Sequence, residues 1–164
     1  MRYVGPELLS TDHVVTGFGC GDPALNEWLV NRAPRNRSVG GSSRTWVILD
    51  EAGRVVAYYA ASTATVLHRE ATGRTRRNQP DPLPALLLGR LAVDRKHQDA
   101  GLGSALLKHF IMKGLEVAEL VGVRLLLVHA ANPDAASFYA RYGFEPSPVD
   151  DLTMMLLVKD IVTT

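Results

Sequence analysis

Apolar positions along this chain change their spacing several times, and each change marks an element. From Leu102 they recur as Leu102, Leu106 and Phe110, and again as Leu107, Ile111, Leu115 and Ala118. That spacing predicts a helix covering one sheet face and ending near Gly122. Before it, residues 86–94 form an apolar, β-branched run that reads as a buried strand, and residues 123–130 are continuous enough for a central strand. Asn132-Pro133 pairs a helix cap with a proline suited to the first helical position, which starts a helix through about Arg141 that Gly143 stops. Residues 144–159 supply one or two final strands around a turn at residues 146–151.

The first half is more broken. Residues 1–21 are turn-rich, with Pro6, Gly17, Gly19 and Gly21, and carry one short strand around residues 12–16. Asp22-Pro23 opens a helix bearing Leu25, Trp28, Leu29 and Arg32, which Pro34 breaks or restarts and Gly40-Gly41 ends. Residues 45–49 and 54–66 read as an antiparallel pair across the Asp50-Glu51-Ala52-Gly53 turn. Three prolines and a glycine make residues 70–84 a long loop, and long ordered loops in compact domains are often functional. No repeat, linker or low-complexity segment interrupts the 164 residues, which fit a single domain.

Composition narrows the class. Hydrophobic residues at 46%, charged residues at 21% and a net charge of +1 favour a soluble globular protein over a disordered or strongly basic one. The single cysteine, Cys20, excludes an intrachain disulfide and fits the cytoplasm. Arg90 and Arg124 interrupt the two longest apolar runs, so no membrane helix is expected, and no metal-ligand cluster is read. Charge is nonetheless uneven. Arg32, Arg35, Arg37 and Arg44 lie in a stretch without an acid from Trp28 to Leu49, and His68, Arg69, Arg74, Arg76 and Arg77 have only Glu70 among them. Such clusters on a neutral protein are either ordinary solvated arginines or a polyanion footprint.

The candidate chemistry starts between the strand at residues 86–94 and the helix at Leu102. Gly101 and Gly103 punctuate a turn that opens a helix, where unpaired backbone N–H groups and the helix dipole suit a phosphate or pyrophosphate. Leu106 stands where a dinucleotide fingerprint needs a third small residue, and the Lys-Ser/Thr pair of a Walker loop is missing. What remains, Gln98-x-x-Gly101-x-Gly103, resembles the coenzyme A pyrophosphate loop of the GNAT N-acetyltransferases.

That resemblance extends over essentially the whole chain. It implies an α/β GNAT fold, a single N-acetyltransferase domain over residues 1–164 with a central mixed, mostly antiparallel sheet flanked by helices. It implies acetyl-CoA as cofactor, with Leu91, Ala92 and Val93 alongside the pantetheine arm and an N–H near Val93 polarising the thioester carbonyl. Gln98, Asp99, Ala100, Gly101, Leu102, Gly103 and Ser104 would hold the phosphates. Asp99 places a carboxylate where the family commonly has glycine, so its side chain is expected to face solvent. In Phe138-Tyr139-Ala140-Arg141-Tyr142-Gly143-Phe144, Tyr139 falls where the family's catalytic tyrosine lies and would protonate the departing thiolate, with Tyr142 the alternative. Asn132 would hydrogen-bond the pantetheine amide, cap its helix, or both. No general base announces itself, and His129 reads as structural. An α-amine with pKa near ~8 is already partly free at neutral pH, unlike a lysine near ~10.4, and needs less help.

The run Glu70-Ala71-Thr72-Gly73-Arg74, then Arg76-Arg77-Asn78-Gln79-Pro80-Asp81-Pro82-Leu83-Pro84, leads directly into Leu88-Gly89-Arg90-Leu91-Ala92-Val93-Asp94. It is similar to a bacterial subgroup: toxins of toxin–antitoxin pairs that acetylate the α-amine of aminoacyl-tRNA and stop translation. By that resemblance Arg35, Arg37, Arg74, Arg76, Arg77 and Arg90 would contact tRNA phosphates. The partners implied are a second copy of the chain, giving a homodimer, and a ribbon-helix-helix antitoxin with an acidic tail, DNA being reached only through the antitoxin complex. Two other readings stay open on the sequence. One is an acetyltransferase of a small amine or protein, and the other a non-catalytic acyl-CoA-binding component of a DNA-binding toxin–antitoxin complex.

Overall fold

Backbone pairing orders seven strands as β1-β2-β3-β4-β5-β7-β6 in the computed structural model, which describes residues 2–161. They are β1 (Val4–Leu8), β2 (Arg44–Leu49), β3 (Val55–Val66), β4 (Leu83–Val93), β5 (Leu125–His129), β6 (Glu145–Ser147) and β7 (Asp150–Leu157). The helices are α1 (Pro23–Glu27), α2 (Gly73–Arg76), α3 (Leu102–Leu120) and α4 (Pro133–Ala140). The sheet is mixed: β4 and β5 run parallel, while β1 with β2, β2 with β3, β5 with β7 and β6 with β7 are antiparallel. The α/β class expected from the sequence is the one observed. The chain falls into two compact units, one of residues 2–62 and 89–110, the other of residues 63–88 and 111–161.

The first unit closes on Leu9, Phe18, Leu29, Ala33, Val47, Leu49, Val55, Tyr58 and Ala92. Tyr58 is fully buried and donates its hydroxyl to Leu25 O at 2.7 Å, which satisfies the one polar atom that burying this ring brings inside. Pro34 restarts the helix, but the second piece ends at Asn36 rather than at Gly40-Gly41, because the Asn36 side chain accepts from Ser42 N at 2.9 Å and turns the chain there. After α1 the chain widens into a π-helical turn, Trp28–Arg32, and tightens into a 3-10 turn, Ala33–Asn36, where proline takes an early position that needs no N–H.

A further expectation for this unit is corrected. The strand expected around residues 12–16 is only an isolated bridge from Val14 to Arg54, because Ser10 and His13 close a turn on each other just before it. The strand of this region is β1, hidden in the sequence behind Gly5-Pro6. β1 lies at the end of the strand order, where a proline without an N–H is tolerated.

The second unit packs Val66, Ala71, Leu83, Ala85, Leu125, Leu127 and Met155. Registers Ala85↔Leu125 through Leu88↔Val128 on one side of β5, and Leu125↔Leu157 through His129↔Thr153 on the other, make it a central strand as its unbroken apolar run predicts. Gly114 of α3 is buried against it. A Cβ there would come within 2.7 Å of Leu126 Cδ2, so glycine sets how closely helix and strand approach. The loop expected over residues 70–84 is shorter than the sequence suggests. Thr72 caps α2 by accepting from Thr75 N at 3.2 Å, and β4 begins at Leu83 and runs through Pro84. Among the described residues no helix is long and apolar enough to cross a membrane.

Candidate active site and basic surface

In the first unit, β4 ends with Leu91, Ala92 and Val93, of which Ala92 is buried and its neighbours half-buried. Asp94 then ties the end of the strand to its surroundings. Its N–H reaches Val56 O at 2.8 Å, its Oδ2 accepts from Gly19 N at 3.0 Å and its Oδ1 from Lys96 N at 3.0 Å. A 3-10 turn, Arg95–Ala100, carries Gln98, Asp99 and Ala100, all exposed, and stops at Gly101 with φ of 76°. That left-handed conformation suits glycine, and no atom lies within 4 Å of where a Cβ would stand, so the turn is open on that side. α3 starts at once: its first ladder bond, Ala105 N to Gly101 O at 3.1 Å, leaves the amides of Leu102 and Gly103 ahead of it. Leu102 sends its side chain inward, and Gly103 and Ser104 are half-buried.

This geometry assigns the residues of the turn different tasks. The Gln98 side chain donates its amide to Val93 O at 3.1 Å and to Cys20 O at 3.4 Å, bracing the turn from behind. Asp99 is exposed, as expected from the sequence. Tyr3 shares a hydrogen bond of 2.8 Å with His97, a second brace the sequence did not signal. Asp94 was missed as well, although an acid at the strand's end, just before the turn, is a cap signature.

In the second unit, Asn132 caps α4 by accepting from Ala135 N at 2.8 Å, so the capping role read from Asn132-Pro133 is filled. Tyr139 is 9% exposed, its ring edge-on to Phe138 at 5.3 Å and to Phe144 at 5.9 Å. Tyr142 gives its N–H to Tyr139 O and packs against Phe138 at 5.5 Å. His129 is exposed rather than a core residue and pairs with Thr153 Oγ1 at 3.3 Å.

Burial pushes the Tyr139 phenol up to about 12, so it holds its proton throughout the neutral range. The buried Tyr58 phenol is raised too, chiefly by desolvation. A folded-state value above the unfolded one, near 10, means the contribution to stability is complete below pH 10 and is lost as pH rises through 12. A rise of this size corresponds to a loss on the order of 3 kcal/mol from Tyr139. Denaturant titrations between pH 9 and 12, followed by tyrosinate absorbance, should therefore show falling stability with late ionisation of at least two of the five tyrosines. Ionisation of all five near pH 10 in the folded protein would contradict the burial argument.

The six candidate arginines divide between the units. Arg35 and Arg37 are exposed at the 3-10 turn and its end, and Arg90 on β4 lies over the Trp28 ring at 4.5 Å, a cation–π contact. Arg74, Arg76 and Arg77 are exposed on and just after α2. Arg74 forms a bidentate pair with Asp160, and Arg76 donates to His68 O at 3.2 Å. The second unit adds a cation the sequence reading did not place here. Arg124, just before β5, donates Nε to Thr75 O at 2.9 Å and Nη2 to Arg74 O at 3.3 Å, tying α2 in place.

The glycine turn between strand and helix lies in the first unit, and the buried, protonated tyrosine after the Asn-Pro cap lies in the second. The chain belongs to the GNAT acetyltransferase family, whose acetyltransferase (GNAT) domain matches residues 41–146. It is 47% identical over 158 residues to the "tRNA-acetylating toxin" of Mycobacterium tuberculosis, covering 96% of this chain and 94% of that one. Among solved structures it resembles AtaT complexed with acetyl-methionyl-tRNAfMet, with a TM-score of 0.85, 26% identity and coverage of 93% and 94%. It also resembles a tyrosine-to-phenylalanine mutant of AtaT bound to the C-terminus of the antitoxin AtaR and acetyl-CoA, with a TM-score of 0.77, 26% identity and coverage of 93% and 92%.

Proposed function

We propose that this chain is the toxin of a toxin–antitoxin pair and transfers acetyl from acetyl-CoA to the α-amine of aminoacyl-tRNA, blocking translation. The observation that carries this reading is the 47% identity, over 96% of the chain, with a tRNA-acetylating toxin. The residues present fit the acyl donor, because the open side of Gly101 and the leading amides of α3 form an anion site that a side chain at position 101 would narrow. Acetyl-CoA, when bound, supplies an activated acyl carbon.

The chain's own residues do the rest. Main-chain amides from Gln98 to Ser104 hold the diphosphate, with the Gln98 side chain, Asp94 and His97 keeping the turn in shape. Leu91, Ala92 and Val93 line the arm, and Asn132 adds a contact beside its capping bond. Tyr139 keeps a proton on its phenol at neutral pH and gives it to sulfur. Arg35, Arg37, Arg74, Arg76, Arg77 and Arg90 orient the tRNA through its phosphates, which sets position rather than amino-acid choice. The two compact units together make one N-acetyltransferase domain. In this reading the chain works as a cytoplasmic homodimer, is neutralised by a ribbon-helix-helix antitoxin and meets DNA only through that complex.

Incubation with labelled acetyl-CoA and total charged tRNA tests the reading. Label is expected in the N-acetyl aminoacyl fraction, released with the amino acid on mild base treatment. Label entering only free amines or proteins would replace the proposed acceptor.

A further inference from the structure

A cavity of about 410 Å³ in the second unit is lined by Arg74, Arg77, Asn78, Gln79, Arg124 and Lys159. Its size falls in the range of about 300–1,000 Å³ usual for small-ligand sites, but its walls lack the apolar character of such sites. Four of its six residues are cations from three separate places in the chain: the segment around α2, the residue before β5, and the short turn after β7. Gathering like charges costs free energy unless an anion offsets it. Asp160 pairs directly with Arg74 and acts at longer range on Lys159 and Arg124, so one carboxylate stands against four cations. Among the described residues neither Arg77 nor Lys159 makes an ion pair.

The walls are also fixed in place. Arg124 spends Nε and one Nη2 hydrogen on the carbonyls of Thr75 and Arg74, which holds its guanidinium and leaves its other hydrogens for a ligand. Asn78 sits at φ of 58°, the only non-glycine residue with positive φ among those described. That conformation is uncommon outside glycine, though asparagine tolerates it, and it places two amide side chains beside the cations.

We infer that this cavity is a seat for one backbone phosphate of the RNA substrate, with Arg77, Lys159 and Arg124 on its oxygens and Asn78 and Gln79 toward the adjoining ribose. The inference rests on the aminoacyl-tRNA reading and adds Lys159, Arg124, Asn78 and Gln79 to the residues that contact the nucleic acid. A ribose 2′-hydroxyl both donates and accepts, and side-chain amides answer both. An acidic protein segment would use the same cations, and the choice of RNA follows from the aminoacyl-tRNA reading.

The test measures binding of the full chain to total charged tRNA across a range of KCl concentrations. Arg77→Gln and Lys159→Gln are each expected to weaken binding roughly three- to tenfold and to lower the slope of log Kd against log[KCl] by about one. Lys159→Arg, which keeps the charge, should retain the wild-type slope. A merely structural role would lower the melting temperature and leave the slope alone. Arg124 is unsuitable as the test residue because its loss also frees α2. Wild-type acetylation of charged tRNA with unchanged slopes in both glutamine variants overturns this inference and removes Arg77 from the proposed tRNA contacts, while the proposed reaction stands. A wild-type chain that neither binds nor acetylates charged tRNA removes both. Lost affinity confined to a poly-glutamate peptide, with tRNA binding intact, assigns the cavity to an acidic protein segment instead and also overturns it.

Discussion

Replacing Tyr139 with phenylalanine is expected to lower kcat for acetylation of charged tRNA by about 10²- to 10⁴-fold, the usual contribution of a positioned general acid. The substitution removes one oxygen and little else. The ring is buried and held by edge contacts with Phe138 and Phe144, which phenylalanine preserves, so neither a cavity nor an over-packed core results. Because burial raises this phenol to about 12, its proton is present across the working range, and the wild-type rate should show no loss of an essential acid below about pH 10. Affinity for acetyl-CoA, measured by calorimetry, should change less than threefold. A variant turning over within a few-fold of wild type would mean that the leaving thiolate takes its proton elsewhere, with Tyr142, one helical turn on, the next residue to test.

The second large effect concerns Gly101. Gly101→Val should raise KM for acetyl-CoA roughly 10- to 100-fold while changing kcat less. The side of Gly101 that a Cβ would occupy is open, with no atom within 4 Å of it. The penalty is conformational: a β-branched residue at φ of 76° pays about 1–2 kcal/mol, and the turn relieves it by rotating away and drawing the first amides of α3 out of line. Gly101→Asn separates backbone from bulk, because asparagine accepts this conformation. If asparagine keeps most of the affinity, φ is what matters. If it is as damaging as valine, the open space itself is what the ligand needs.

Local signals were legible in the sequence wherever one short stretch sufficed. The turn from Gln98 to Gly103, the Asn132-Pro133 cap and the Phe-Tyr-x-x-Tyr-Gly-Phe segment all stand where periodicity and punctuation put them. β1 was lost because Gly5 and Pro6 erase the alternation that marks a strand, and only a place at the sheet's edge makes proline acceptable there. α2 was lost because three prolines outweighed a single threonine cap. The basic cavity was beyond reach for a different reason. Arg124 is read along the chain as an interruption of an apolar run and Lys159 as part of a terminal strand, and only folding brings them beside Arg74 and Arg77. Side-chain destinations were hidden too: Gln98 belongs to the loop motif, yet its amide turns back to Val93 and Cys20.

That backward-facing amide has a thermodynamic consequence. Together with the carboxylate of Asp94 on Gly19 and the Tyr3–His97 bond, it means the connection between β4 and α3 has already surrendered its freedom when the chain folds. On the proposed reading, a coenzyme arriving there meets a receptor cast in advance, so little ordering entropy is left to oppose its capture. Cutting any one of these tethers should therefore show up first as a less favourable entropy of association, before it shows in the enthalpy of the contacts themselves.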